Sequence, residues 1–127
     1  MLGSAPIAEA ALAQVALDGI KVEVAHGLAP EALAPELRRF AEELANERFR
    51  EWGVAIEPRG ETGLHLAGGR EGTYFEADIQ AFAARVTVDI RGRVELGLLK
   101  LKLAGGAEGV RRRVGDQIRD ALRRHLT

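Results

Sequence analysis

At 127 residues and 46% hydrophobic, the chain is long enough to fold around one core, and its lack of cysteine removes disulfides, thiolate metal sites and a cysteine nucleophile together. The formal net charge of −1 hides a split, because residues 1–84 carry 7 cationic and 14 anionic side chains whereas residues 85–127 carry 11 and 5, nets of −7 and +6. Such a split points to two parts of one fold that attract each other, or to a self-complementary oligomer contact, ahead of a basic surface for an anionic partner. No apolar run approaches the roughly 20 residues of a membrane helix. The alanine-rich start contains Glu9 and lacks the positive region of a secretory signal, so a cytoplasmic protein without a transmembrane segment is expected. Residues 1–18 read as a leader segment or docked helix, and 19–127 as a single α+β domain.

Residues 4–17 predict a short helix with Ser4 as N-cap and Pro6 in its first turn, on which Ile7, Leu12, Val15 and Leu17 make a ragged apolar stripe. Asp18-Gly19 is a turn, and Ile20, Val22 and Val24 alternate with Lys21 and Glu23 as a strand. A helix follows, expected to begin near Pro35 after a loose turn over 31–34, with Leu37, Phe40, Ala41, Leu44, Phe49 and Trp52 on one face and Gly53 as its stop. Val54 and Ile56 open a strand that Pro58-Arg59-Gly60 ends. Leu64 and Leu66 alternate around His65 up to a hairpin at Gly68-Gly69, and residues 72–78 run back.

The alternation breaks over Ile79 to Phe82, predicting a turn or bulge before a long strand that ends at Ile90. Arg91-Gly92-Arg93 is read as another turn and Val94 to Leu103 as the last strand. Within that strand the apolar parity moves from Val94, Leu96 and Leu98 to Leu99, Leu101 and Leu103, which calls for a bulge near Gly97. Beyond Gly105-Gly106 the spacing turns helical, with Val110, Val114, Ile118, Ala121 and Leu122 on one stripe. Burying the four largest of these stabilises by about 6 to 12 kcal/mol at most, the scale of a whole domain's net stability. The expected fold is α+β: a mostly antiparallel sheet of about six strands covered on one face by two amphipathic helices, in the order β-α-β-β-β-β-β-α with an N-terminal leader helix.

No catalytic constellation emerges. His26, His65 and His125 stand apart with no metal-binding spacing, so each reads as structural and neither a metal nor a cofactor is expected. Glu76 and Asp78 share one side of a strand, facing water, where a carboxylate keeps its ordinary pKa and acid–base catalysis gains little. Ser4 is the only serine and lies in the leader. The glycine-rich stretch Gly105 to Gly109 matches no phosphate-loop pattern, and Glu108 would repel an anion there. Arg111, Arg112, Arg113, Arg119, Arg123 and Arg124 load the polar side of the last helix. With no recognition motif and 5% aromatics, pairing with acidic residues outranks nucleic-acid binding.

From His26-Gly27-Leu28 onward the chain resembles the small polyhydroxyalkanoic acid system proteins. The matching pieces are His26-Gly27-Leu28, the Arg38-Arg39-Phe40-Ala41-Glu42 helix, Gly72-Thr73-Tyr74-Phe75, Val94-Glu95-Leu96-Gly97-Leu98-Leu99 and the terminal helix to Leu126. The leader and Gly105-Gly106 lie outside the pattern. The resemblance implies a non-catalytic accessory protein of storage granules, whose partner is a protein or a hydrophobic polymer surface, and it transfers no functional residue. The expected interaction surface comprises Ile7, Leu12, Val15, Leu98, Leu99, Lys100, Leu101 and Lys102. A rival reading is a helix-grip ligand binder or cyclase-like protein with an apolar cavity between sheet and terminal helix, lined by Phe75, Phe82, Leu96 and Ile118. A third is an oligomer-building structural module, supported by the charge split and the leucine-rich end of the last strand.

Overall fold

The computed structural model describes residues 12–127. Strands β1 (Leu12–Ala16), β2 (Ile20–Ala25), β3 (Ala55–Arg59), β4 (Gly63–Arg70), β5 (Thr73–Ala81) and β6 (Arg85–Gly97) form one antiparallel sheet, joined by helices α1 (Pro30–Glu43), α2 (Leu98–Leu103) and α3 (Gly106–Leu126). Across the sheet the order is β1-β6-β5-β4-β3, and β2 pairs with β6 on the edge that β1 also uses. The alternating residues Val22, Val24, Phe75, Ala77, Ile79, Val86, Val88 and Ile90 are buried on one face. Leu37, Phe40 and Ala41 of α1 and Ile118, Ala121 and Leu122 of α3 pack on them in one core. The α+β architecture follows the periodicity: period 2 hides one face of the pleat, and period 3.6 supplies the two stripes that cover it.

Several elements differ from the sequence reading. Residues 12–16 are a strand rather than the end of a leader helix, because the second half of β6 offers them an open ladder from Leu12↔Gly97 to Ala16↔Arg93. The part of that predicted helix at residues 4–11, with Ser4, Pro6 and Ile7, lies outside the described residues. Arg91-Gly92-Arg93 is no turn; β6 runs through it for 13 residues. Gly92 sits at φ 142° against the Tyr74 carbonyl. On the other edge the chain bulges at Leu17–Gly19, where the Leu17 N–H donates to the Gly92 carbonyl at 2.8 Å and the Gly92 N–H donates to the Asp18 carboxylate at 2.9 Å. One carboxylate thereby satisfies the backbone donor that the bulge leaves over.

Helix α1 starts at Pro30, five residues before the expected Pro35. Proline at the first helical position forfeits no bond, and the Ala32 and Leu33 N–H groups both donate to the Ala29 carbonyl, closing the first turn. After α1 the chain tightens through a π turn (Leu44–Arg48) and a 3-10 turn (Arg50–Trp52) to Gly53, whose left-handed conformation ends the helical run as the sequence indicates. The β4–β5 hairpin turns at Glu71-Gly72 instead of Gly68-Gly69, since Gly68 lies too close to the Trp52 and Val54 backbones to hold a side chain there and remains inside β4.

Gly115, beside the α3 stripe, faces β2 with ordinary room: a Cβ placed there meets the Ile20 Cγ2 methyl at 3.5 Å. The close approach is therefore loose enough for one methyl group. Gly115→Ala is expected to raise stability by about 0.5 to 1 kcal/mol through helix propensity. Urea melts of both forms measure it, and a lower midpoint for the alanine form would show that the packing against Ile20 has no slack.

Candidate functional site

The segment Leu98–Leu103 reads Leu-Leu-Lys-Leu-Lys-Leu and folds as α2, not as the end of the last strand. The cause is the loss of neighbours. Among the described residues β1 reaches only to Leu12, opposite Gly97, while β5 begins at Thr73, whose hydroxyl accepts the Glu95 N–H at 3.0 Å. Past Gly97 an extended chain finds no strand among the described residues to pair with, whereas a helix satisfies its own backbone and suits leucine and lysine. This change of element, rather than a bulge at Gly97, absorbs the shift of apolar parity.

Folded this way, α2 leaves Leu98 at 51%, Leu99 at 71% and Leu103 at 76% exposure, and Leu12 beside it is 52% exposed. Lys100 and Lys102 are exposed among them, while Leu101 is half-buried. Of the expected interaction surface, Leu12, Leu98, Leu99, Lys100, Leu101 and Lys102 come together at one end of the sheet. Val15 does not: at 2% exposure it belongs to the core, because β1 points it inward. Ile7 lies outside the described residues.

Next to this surface a groove of ≈ 510 Å³ opens between the end of β6, α2, the first turns of α3 and Trp52. Val94 and Val110 are buried in it, Leu96 and Val114 are half-buried, and Lys100, Arg113 and Gln117 bring exposed polar ends. A second groove of ≈ 390 Å³ lies at the other end of the strands, between Leu33 and Leu37 of α1 and Leu64 and Ala81 of the sheet. The middle of the sheet is filled. Phe75 and Ile118, expected to line a cavity, are fully buried core, with Phe75 stacked on Phe49 at 4.4 Å between centroids. Phe82, also expected there, is 41% exposed in the β5–β6 turn, with the Arg85 guanidinium 4.4 Å over its ring. Only Leu96 of the four lines a groove.

Each histidine is engaged in a structural tie. His26 accepts the Leu28 N–H through Nδ1 at 3.1 Å and donates through Nε2 to the Phe82 carbonyl at 2.9 Å, binding the loop before α1 to the β5–β6 turn. His65, on the outer face of the sheet, lies opposite Asp78 and donates through Nδ1 to its carboxylate at 2.6 Å. Arg91 holds the other Asp78 oxygen at 2.9 Å and lies 3.7 Å from Glu76. Burial by itself would raise the Asp78 pKa, but the His65 and Arg91 bonds outweigh it and hold the carboxyl below its ordinary value. The expectation of two simply solvated carboxylates is corrected accordingly. The feature that sequence reasoning missed is the His65–Asp78 pairing, which only the hairpin register reveals. No group of three or more ligating side chains suited to a metal occurs among the described residues.

His125 donates through Nε2 to Glu43 at 2.9 Å and packs edge-on against Phe40, fastening α3 to α1. Arg124 and Arg48 also donate to Glu43, at 2.9 and 3.2 Å. Burial again pushes the Glu43 pKa upward, and the bonds from His125, Arg124 and Arg48 overcome it, so the carboxyl sits below its ordinary 4.5. A lowered folded pKa means that this contribution is complete above about pH 4.5, where the unfolded chain is also ionised, and drains away as pH falls through the folded value. Glu43→Gln is expected to cost about 1 to 2 kcal/mol at pH 7 and to flatten the acid limb of the stability profile below pH 4.5. Urea midpoints from pH 3 to pH 7, on the order of five points, test this, and parallel profiles for the two forms would contradict it.

The opposed charges of the two halves meet inside the fold, through Glu43–Arg124, Glu76–Arg91, Asp78–Arg91 and Glu23–Arg85. Arg111 donates to the Ala16 and Asp18 carbonyls at 2.7 and 2.9 Å, tying α3 to the bulge rather than presenting itself to a phosphate. The β3 edge carries Pro58, which has no N–H to offer a further strand. No helix among the described residues is long and apolar enough to cross a membrane. No family model, curated protein or solved structure matches the chain.

Proposed function

We propose that this chain is a non-catalytic accessory protein that seats on a hydrophobic polymer surface, that of a polyhydroxyalkanoate storage granule, through its α2 end. The observation that carries the reading is the cluster of Leu98, Leu99 and Leu103, on a short helix that also presents Lys100 and Lys102, with Leu12 at the start of β1 beside it, each of the four leucines more than half exposed. Isolated exposed leucines are ordinary, but several grouped at the tip of a sheet form an apolar patch of the kind that marks a contact surface. The lysine stems extend the apolar area while their ammonium groups reach an anionic rim, as amphipathic side chains do at interfaces. The resemblance in His26-Gly27-Leu28 and the β6–α2 segment supplies the polymer class.

The test is co-sedimentation of the full chain with poly(3-hydroxybutyrate) particles, beside a Leu99→Ser/Leu103→Ser form. Both leucines are exposed, so the double form should melt like the parent. The parent is expected to partition onto the particles and the double form to bind at least about tenfold more weakly, the effect of losing roughly 1.4 kcal/mol or more of apolar burial. Equal binding by the two would remove α2 as the contact, and absence of binding by the parent would remove the granule reading itself.

A further inference from the structure

We infer that the groove between α2, α3 and Trp52 is a binding site for a single-chain amphiphile with an anionic head, a medium-length acyl carboxylate. Its apolar part comes from four elements that converge at one end of the sheet, with Val94 and Leu96 from β6, Leu103 from α2, Val110 and Val114 from α3 and Trp52 from the 3-10 turn. At ≈ 510 Å³ it has the size of a small-molecule site, and its shape is an open trough rather than a closed cavity. Trp52 is held in place by stacking on Phe49, 5.1 Å between centroids, so this wall is rigid before any ligand arrives.

Charge selects the head group. Lys100 and Arg113 both reach the groove, and neither makes an ion pair among the described residues, whereas Arg91, Arg119 and Arg124 are all engaged. Among the described residues no acidic side chain lines the groove. Two free cations beside a trough of valine, leucine and tryptophan complement an extended apolar chain ending in a carboxylate, and they repel a cationic head. The site borders the α2 patch and shares Lys100 and Leu103 with it, but the inference does not depend on the granule reading, because Val94, Leu96, Val110, Val114, Trp52 and Arg113 belong to β6, α3 and the 3-10 turn.

The chain's only tryptophan lines the groove and reports on it directly. Decanoate, kept below its micelle concentration, is titrated into the full chain while Trp52 emission is followed, beside decyltrimethylammonium and an Arg113→Glu form. A saturable change with decanoate is expected. Decyltrimethylammonium should bind at least about tenfold more weakly to the parent, and Arg113→Glu should weaken decanoate by a similar factor while preserving the melting temperature. A Val114→Phe form, which fills the trough, should lose the response, and amide shifts in the parent should centre on β6 and the first turns of α3. Equal affinity for the two head groups, or an unchanged Arg113→Glu form, would overturn the proposal. So would a response seen only after removal of residues 1–11, which would assign the groove to the chain's own N-terminal segment. A concentration-dependent emission shift without ligand, accompanied by a dimeric mass, would assign it to a second copy and equally overturn the proposal.

Discussion

Gly92→Ala is expected to destabilise the chain by about 3 kcal/mol or more, a large share of a domain's net stability. Gly92 holds φ 142° in the interior of β6, and a Cβ there would be driven into the Tyr74 carbonyl on β5, with the Phe75 Cα at 3.1 Å. Both obstacles are backbone, so no rotamer change relieves them. The residue also anchors the opposite edge, through the bonds to Leu17 and Asp18 that close the bulge between β1 and β2. The substitution therefore strains both ladders at the point where they meet. Urea unfolding followed by circular dichroism measures the effect, and a loss under about 1 kcal/mol would mean that the sheet bends at Gly92 by choice rather than by necessity.

Phe75→Ala should cost a further-reaching 3 to 5 kcal/mol, the range for truncating a large buried ring. Its side chain is fully buried, stacked on Phe49 at 4.4 Å and 6.0 Å from the Trp52 ring centroid. The cavity would open beneath the aromatic group that forms the wall of the α2 groove, so the loss should appear twice. The denaturant midpoint falls, and Trp52 emission in the folded protein moves to the red as its support loosens. Phe75→Leu, which keeps most of the volume, is expected to recover more than half of the stability. A folded-state emission unchanged by Phe75→Ala would disconnect the core from the groove wall.

The candidate surface is partly legible in the sequence. Leu98, Leu99, Lys100, Leu101 and Lys102 stand out as a leucine-rich stretch whose parity shifts at Gly97, and that irregularity does mark a change of element. What the stretch does not announce is its conformation. Six residues of Leu-Leu-Lys-Leu-Lys-Leu fit a strand with a bulge as well as a helical turn, and the choice depends on whether a neighbouring strand lies beside them. The groove was less visible still. Trp52, Leu96, Lys100 and Arg113 belong to separate elements, and nothing local in any of them points toward the others.

The hairpin shows the same limit more sharply. A turn at Gly68-Gly69 would set His65 against Gly72; the observed turn at Glu71-Gly72 sets it against Asp78. The two registers differ by an even number of residues, so the inward face of β4 is the same in both and only the cross-strand partners change. The alternation around His65 therefore places it on the outer face, while its carboxylate partner depends on the register. For residues 12–16 the element itself differs from what local propensity favours. An alanine-rich segment that favours helix on its own was drawn into the sheet because β6 extends past β2 and exposes a row of unpaired donors and acceptors.

The sequence by itself determined the inward residues of β2, β5 and the first half of β6 and that two amphipathic helices cover one face of an antiparallel sheet, because burial of an apolar stripe depends on the spacing of neighbours along the chain. Only the tertiary structure decided that β6 continues through Gly92, that Leu12–Ala16 pairs with it, and that Leu98–Leu103 coils into the helix that borders the groove. Those outcomes turn on whether a backbone edge is occupied by residues some 80 positions away, and hydrogen bonding across that distance leaves no imprint on local periodicity.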